Sequence, residues 1–386
     1  MLTNTFIAGE WFIVLFAGFF IFVFPLIIGG VIFYTLRKNK LNRAAWQQLA
    51  GEIKFHMPNP KKLEMLGNYN GIDTRVAVGM RTSGAGEDRH TEYFTYCRST
   101  FPKPLRFALQ ISAPKGVLSA ILKGKGTPLG HGNFDNRFGV RCYDQKVLKR
   151  LLLSDFPSNK TGNLMGDLML ASEDYDTITL NDQTVYIETG GHIRDHDELK
   201  HLLMTTNRLA KRFADARKKF PLEKWEKQLA ANWTAFAKHH SLSVDPNEFV
   251  LEGTYNGFPM KACIHSSPGR WKTTIDLKYP EKLMVGFQIY PEGAFHGAVK
   301  LFGFQDIKAG HEDFDRAFIV KAKNQQVAKA KMTPEFCGQM LGLKRNSASI
   351  ELDDEHLKLT VNHVLGDTKK LTHFINAMGS AMSKLR

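Results

Sequence analysis

Residues 131–149 read HGNFDNRFGVRCYDQKVLK, and residues 311–329 read HEDFDRAFIVKAKNQQVAK. Aligned without a gap they share eight of 19 positions, where unrelated stretches would share about one. The common frame, H-x-x-F-D-x-x-F-x-V-x-x-x-x-Q-x-V-x-K, marks an internal repeat. Other pairs keep the same order on either side of it. Trp46 and Trp233 come first, then Gly67-Asn68-Tyr69-Asn70-Gly71 and Gly253-Thr254-Tyr255-Asn256-Gly257. ITLND from Ile178 and IELDD from Ile350 follow, and Asp195 and Asp367 come last.

Each paired element has a physical reading. Trp46 and Trp233 open segments of helical apolar spacing. Asn70-Gly71 and Asn256-Gly257 predict hairpins, because both central residues of that turn need positive φ. RVAVGM, TEYFTYC and RFALQIS in the first half, and TTIDLKY and VGFQIYP in the second, have β-rich composition. A short helical stretch follows each F-x-V strand, then a hairpin turning at Asn181-Asp182 or Asp353-Asp354. The last helix of each half starts at Asp195-x-x-Glu198, read as a capping box, or at Asp367. Leu199, Leu202, Leu203, Leu209 and Phe213 predict its inward stripe, matched by Leu371, Phe374, Ile375, Ala381 and Leu385. The expected fold class is therefore α+β: two tandem, related antiparallel-sheet-plus-helix domains, with a boundary at Phe220-Pro221 where proline stops the helix. Repeat 1 covers 44–219 and repeat 2 covers 220–386.

Ahead of the repeats, Trp11 to Leu36 holds 26 residues without a charge, 18 of them Phe, Ile, Leu or Val. At about 1.5 Å per residue such a stretch exceeds the roughly 30 Å hydrocarbon core of a bilayer, which predicts a single transmembrane helix over 11–36. A secretory signal would have a basic start and a shorter apolar run. Before the stretch the one charged side chain is Glu10. After it, in a juxtamembrane segment over 37–43, come Arg37, Lys38, Lys40 and Arg43. The positive-inside rule then predicts a short extracytoplasmic tail over 1–10 and cytoplasmic repeats on the inner (plasma) membrane.

The 386 residues carry a formal charge of +14 and 43% hydrophobic residues, a composition that excludes disorder and predicts an anionic partner. Four scattered cysteines without a CxxC pair exclude a disulfide framework and a standard thiolate zinc site. A basic run, Arg208, Lys211, Arg212, Arg217, Lys218, Lys219, Lys224 and Lys227, straddles the boundary. With an anchor nearby, anionic headgroups are preferred over nucleic acid as its partner, at about 1 kcal/mol per basic residue close to a membrane surface. Arg37, Lys38, Lys40, Arg43, Arg217, Lys218 and Lys219 are the expected membrane-surface contacts, and a protein partner at the membrane is the further possibility.

The stretch from Phe314 to Val361, with FDRAFIV, MTPEFCGQML and IELDDEHLKLTV, resembles a family of bacterial membrane-anchored proteins that carries only a domain-of-unknown-function label. The resemblance implies an inner-membrane location and a binding or scaffolding role. It brings no catalytic residues.

Chemistry-bearing groups each have a structural alternative. His131 with Asp135, and His311 with Asp315, are a candidate general-base pair. Their recurrence in both halves favours an architectural role, since a fold requirement recurs in every copy. His192, His196 and His201 with Asp195 and Asp197 have metal-like density, but the cap at Asp195 splits them between loop and helix. Gly124-Lys125-Gly126-Thr127 lacks the full spacing of a phosphate loop, and Cys263 beside His265 reads as a strand thiol. No cofactor and no metal is expected. The leading expectation is a membrane-anchored, non-enzymatic binding or scaffolding module; the alternative is a tethered hydrolase or metal-dependent enzyme using a His/Asp site.

Overall fold

The computed structural model describes residues 43–59, 62–84, 89–114, 126–153, 162–220, 223–246, 248–292, 307–347 and 349–385. The first half opens with helix α1 over 43–53. Strands β1 (Glu64–Tyr69), β2 (Ile72–Ser83), β3 (His90–Thr100) and β4 (Gln110–Pro114) follow. Then come α2 (Gly132–Arg137), β5 (Gly139–Arg141), α3 (Gln145–Leu152), α4 (Leu164–Asp174), β6 (Thr177–Asn181), β7 (Thr184–Gly190) and α5 (His196–Lys218). The second half has α6 (Lys224–His240), β8 (Ser243–Asp245), β9 (Val250–Tyr255), β10 (Phe258–Ser267), β11 (Arg270–Lys278) and β12 (Gln288–Pro291). It closes with α7 (Glu312–Ala317), β13 (Phe318–Lys321), α8 (Gln325–Lys331), α9 (Pro334–Arg345), β14 (Ser349–Asp353), β15 (His356–Val361) and α10 (Thr368–Ser383).

The strands form two antiparallel sheets. One has the order β1-β2-β3-β7-β6-β4-β5 and the other, read from the opposite edge, β8-β9-β10-β11-β15-β14-β12-β13. Apart from β8, the two orders are the same permutation of equivalent strands. Both NG turns have the left-handed backbone expected of them: Asn70 at φ 53 and Gly71 at 82, Asn256 at 48 and Gly257 at 81.

Equivalent bonds close each unit. The Trp46 indole N–H donates to Ile193 O at 3.2 Å, and that of Trp233 to Leu365 O at 3.0 Å. Thr95 Oγ1 donates to Gly191 O and accepts from Ile193 N; Thr273 Oγ1 does the same with His363 O and Leu365 N. These bonds pin the loop ahead of the last helix to the middle of the sheet, so that α5 and α10 lay their apolar stripes on it. Leu199, Leu202, Leu203, Leu209 and Phe213 are fully buried, as are Leu371, Ala381 and Leu385. Each such leucine or phenylalanine contributes about 1.5–3 kcal/mol. One hydrophobic core runs from Trp46 to Ala216, and the other from Leu229 to Leu385 with Ala108 of the first half packed into it.

The Asp195 carboxylate caps α5 by accepting from Asp197 N and Glu198 N. A reciprocal bond from the acidic residue three positions on is found at the start of α6, where Glu226 accepts the Glu223 N–H at 2.8 Å. Among the described residues no helix is long and apolar enough to cross a membrane. The span expected over 11–36, the tail before it, and Arg37, Lys38 and Lys40 lie outside the described residues, as do Gly124 and Lys125 of the glycine-lysine loop.

Candidate functional site

Helix α5 buries one face and leaves the other to solvent. On the outer side His201, Met204, Arg208, Lys211, Asp215 and Lys218 follow at three- or four-residue spacing, which places them in one stripe. The β1–β2 turn stands beside this stripe because Asn207 Nδ2 donates to Tyr69 O at 2.8 Å. Two adjoining clefts result. One, of about 500 Å³, lies between Tyr69, Asn70 and the helix residues His201, Met204, Arg208, Lys211 and Arg212. The other, of about 490 Å³, has an apolar floor of Ile72, Pro102, Pro104, Ala214 and Phe220, and a basic rim of Lys103, Arg106, Lys211, Arg217 and Lys218. Asn70, Lys211 and Asp215 form the ridge that both share.

The rim has five basic side chains against one carboxylate, Asp215, which is held by Lys218 at 2.8 Å. Lys211 makes no hydrogen bond or ion pair among the described residues and is exposed, so its charge is free for a ligand. Arg212 is paired with buried Asp167.

Arg106 and Arg217 close the inner end at the junction of the two halves. Arg217 Nε donates to Leu105 O at 2.6 Å, its Nη1 donates to Phe220 O at 2.7 Å, and its Nη2 lies 3.5 Å from Glu226 Oε1. Arg106 sits 4.0 Å from the same oxygen, with its guanidinium 4.1 Å from the centroid of the Phe249 ring. The loop that delivers Arg106 bends through left-handed backbone at Arg106 (φ 61) and Ala108 (φ 46), and Ala108 O accepts the Gly269 N–H of the second half. Glu226 is 1% exposed. Burial raises its carboxyl above the ordinary range, opposed by the Glu223 N–H and the two guanidinium groups, while burial lowers Arg106. Arg217 therefore belongs to the junction, whereas Lys218 and Lys219 are exposed.

The second half has a cleft at the same place, and its chemistry differs. Counting from the capping aspartates, Met204, Arg208 and Lys211 correspond to Asn376, Ser380 and Ser383. Those three line a neutral pocket of about 200 Å³ under the Asn256 turn. The fold provides the corner twice, but only the first half makes it large and cationic.

The other sequence-predicted groups do not converge on a centre. The Asp135 carboxylate accepts from Leu129 N, Gly130 N and His131 N, all at 2.8 Å. Asp315 accepts from Ala309 N at 2.7 Å and Gly310 N at 3.0 Å. Both aspartates thus tie down the turn before a short helix. His131 and His311 occupy the N-cap positions without a side-chain cap bond. None of the four lines either α5 cleft. His192 packs edge-on against Tyr93, His196 contacts Asp197 and Glu52, and His201 Nδ1 bonds the Tyr175 hydroxyl at 2.8 Å. No group of three potential metal ligands occurs among the described residues. Cys263 is half-buried in β10, and desolvation raises its thiol.

Sequence reasoning singled out the basic run on α5 but missed what makes it a cleft: the approach of Asn70–Ile72 and Pro102–Pro104. The Gly-Asn-Tyr-Asn-Gly turn was the available signal.

No family model matches this chain, and no curated protein matches it. Among solved structures it is similar to the crystal structure of the mycobacterial trehalose monomycolate transport factor A, TtfA, at 11% identity and a TM-score of 0.31, covering 42% of this chain and 96% of that one. A likeness at that score carries no argument about this chain.

Proposed function

We propose that this chain is a membrane-tethered, non-enzymatic binding module whose first half holds an anionic amphiphile in the α5 cleft. The observation that carries the reading is the pairing of an apolar floor with a cationic rim in one cleft of about 490 Å³, whose shared ridge residue Lys211 is Ser383 in the second half. An anionic headgroup satisfies Lys103, Lys211 and Lys218, and a hydrocarbon portion covers Ile72, Pro102 and Phe220. Charge-assisted hydrogen bonds of this kind are each worth about 1.5–3 kcal/mol. Tethering through 11–36 with both halves on the cytoplasmic side, and the resemblance over Phe314 to Val361, agree with this role. The carboxylates of Asp135 and Asp315 are engaged on backbone N–H groups, which makes binding the reading the geometry favours over His/Asp catalysis.

Calorimetric titration of the full chain in detergent tests it, using a short-chain anionic phospholipid, its zwitterionic counterpart, and glycerol phosphate as the headgroup without chains. The anionic lipid should bind about tenfold or more tighter than either of the others, and a Lys211→Glu, Lys218→Glu double variant should lose that preference. Equal binding of the two lipids would overturn the reading. So would glycerol phosphate binding as tightly as the anionic lipid.

A further inference from the structure

The first half has a second open corner, at the far end of β2 from the α5 cleft. Arg43, Lys62, Glu64, Arg75, Met80, Tyr93 and His192 line a depression of about 480 Å³ there. Met80 and Tyr93 face each other across the β2–β3 ladder and are 68% and 48% exposed, among the most exposed large apolar side chains of the described residues. Arg75 is paired with Glu64 at 2.8 Å, which leaves Arg43 and Lys62 as the basic residues of the lining with no ion pair among the described residues.

We infer that this corner is the surface on which the first half rests against an anionic bilayer. The covalent chain sets the geometry. Arg43 lies seven residues beyond Leu36, the end of the uncharged stretch, and fully extended those seven steps reach about 25 Å at most. Arg43 therefore stays that close to the bilayer if 11–36 spans it, and Met80 and Tyr93 share its depression. An exposed thioether and phenol ringed by arginine and lysine match the membrane–water interface, where amphipathic rings sit at headgroup level and basic side chains meet anionic lipid. The equivalent corner of the second half has Ser266 opposite Trp271, which is buried, so the apolar exposure belongs to the half that adjoins the anchor. Ile72 lines the α5 cleft and Met80 the corner. Eight residues of strand at about 3.3 Å each put these about 26 Å apart. The two depressions share no lining residue.

This inference rests on the tether but not on the α5 ligand. The full chain is reconstituted into vesicles of zwitterionic lipid doped with anionic lipid, with a bimane fluorophore on Met80→Cys or, as the control, on Met284→Cys of the second half, which is 84% exposed; labelled wild type corrects for native cysteines. Lipids carrying a headgroup nitroxide serve as quencher. Position 80 should lose most of its emission, and position 284 should keep it. Equal quenching at the two positions, or none at position 80, in vesicles that retain the chain through an alkaline carbonate wash would overturn the corner while leaving the tether intact. Release of the chain by that wash would instead remove the tether and the corner with it.

Discussion

Lys211 and Ser383 occupy one position of the fold: each lies sixteen residues beyond the aspartate that caps its helix, Asp195 in α5 and Asp367 in α10. Around the lysine the corner opens to about 500 Å³ and is basic; around the serine it shrinks to about 200 Å³ and is neutral. The same strand order and corner occur in both halves, and the side chains at the corner are what differ.

Replacing Lys211 and Lys218 by serine, the first as at Ser383, should abolish the preference for anionic over zwitterionic lipid. Both sites lie on the outer face of the helix, where substitutions usually change stability by no more than about 0.5 kcal/mol. Lipid titration and urea denaturation on the same preparation separate the two effects.

Asp135→Ala should destabilise strongly and His131→Ala weakly. The aspartate takes three backbone N–H groups, and unmet donors in so compact a turn cost about 1–3 kcal/mol each where they are buried. The imidazole makes no cap bond. Urea midpoints give the comparison; a larger loss from His131→Ala would make the imidazole, not the carboxylate, the group that holds the turn.

Glu226→Gln removes the negative charge between Arg106 and Arg217. Burial already disfavours that charge, and the amide keeps the side chain's size, so Glu226→Gln should cost less stability at neutral pH than Glu226→Ala, which leaves a void as well as two guanidinium groups without a partner. Urea denaturation of the two variants makes the comparison. Glu226 also has a pH consequence. Because burial raises its folded-state pKa above the unfolded value, its contribution to stability is fully present below the unfolded pKa and is lost as pH rises through the folded one. The alkaline side of that transition should therefore show a decline in stability that Glu226→Gln lacks.

Two histidines four residues apart should titrate in opposite directions from the ordinary value. His196 is raised by Asp197 first and by Glu52, and His192 is lowered by burial and by Arg194. Proton resonances followed across neutral pH should give the higher midpoint to His196, and Glu52→Gln should bring that midpoint down. Adding zinc should shift neither; a shared zinc-induced shift would restore the metal reading of this segment.

Local chemistry was legible in the sequence and distant approach was not. The NG dipeptides announced their turns because the left-handed backbone at Asn70-Gly71 and Asn256-Gly257 is a property of those residues themselves. The inward stripe of α5 followed from spacing alone. Asp182 shows the limit. Its neighbour Asn181 folds the hairpin by accepting from Gln183 N and Thr184 N, while Asp182 itself reaches Phe107 N and Leu109 N, more than seventy residues away. Its second-half counterpart Asp354 binds Gly286 N and Phe287 N in the same way. Likewise, Arg217 read as one more exposed charge because its partner Glu226 sits on the next helix, beyond a proline, and no local pattern links them. The basic run was visible, but its division into a free Lys211 and a junction-bound Arg217 required the packed halves.

The most direct test of the account is native mass spectrometry of the full chain released from membranes. One anionic amphiphile per chain should remain bound to the wild type and be absent from the Lys211→Ser, Lys218→Ser variant. Zwitterionic lipid retained equally by both forms, or anionic lipid retained by the variant, would contradict it.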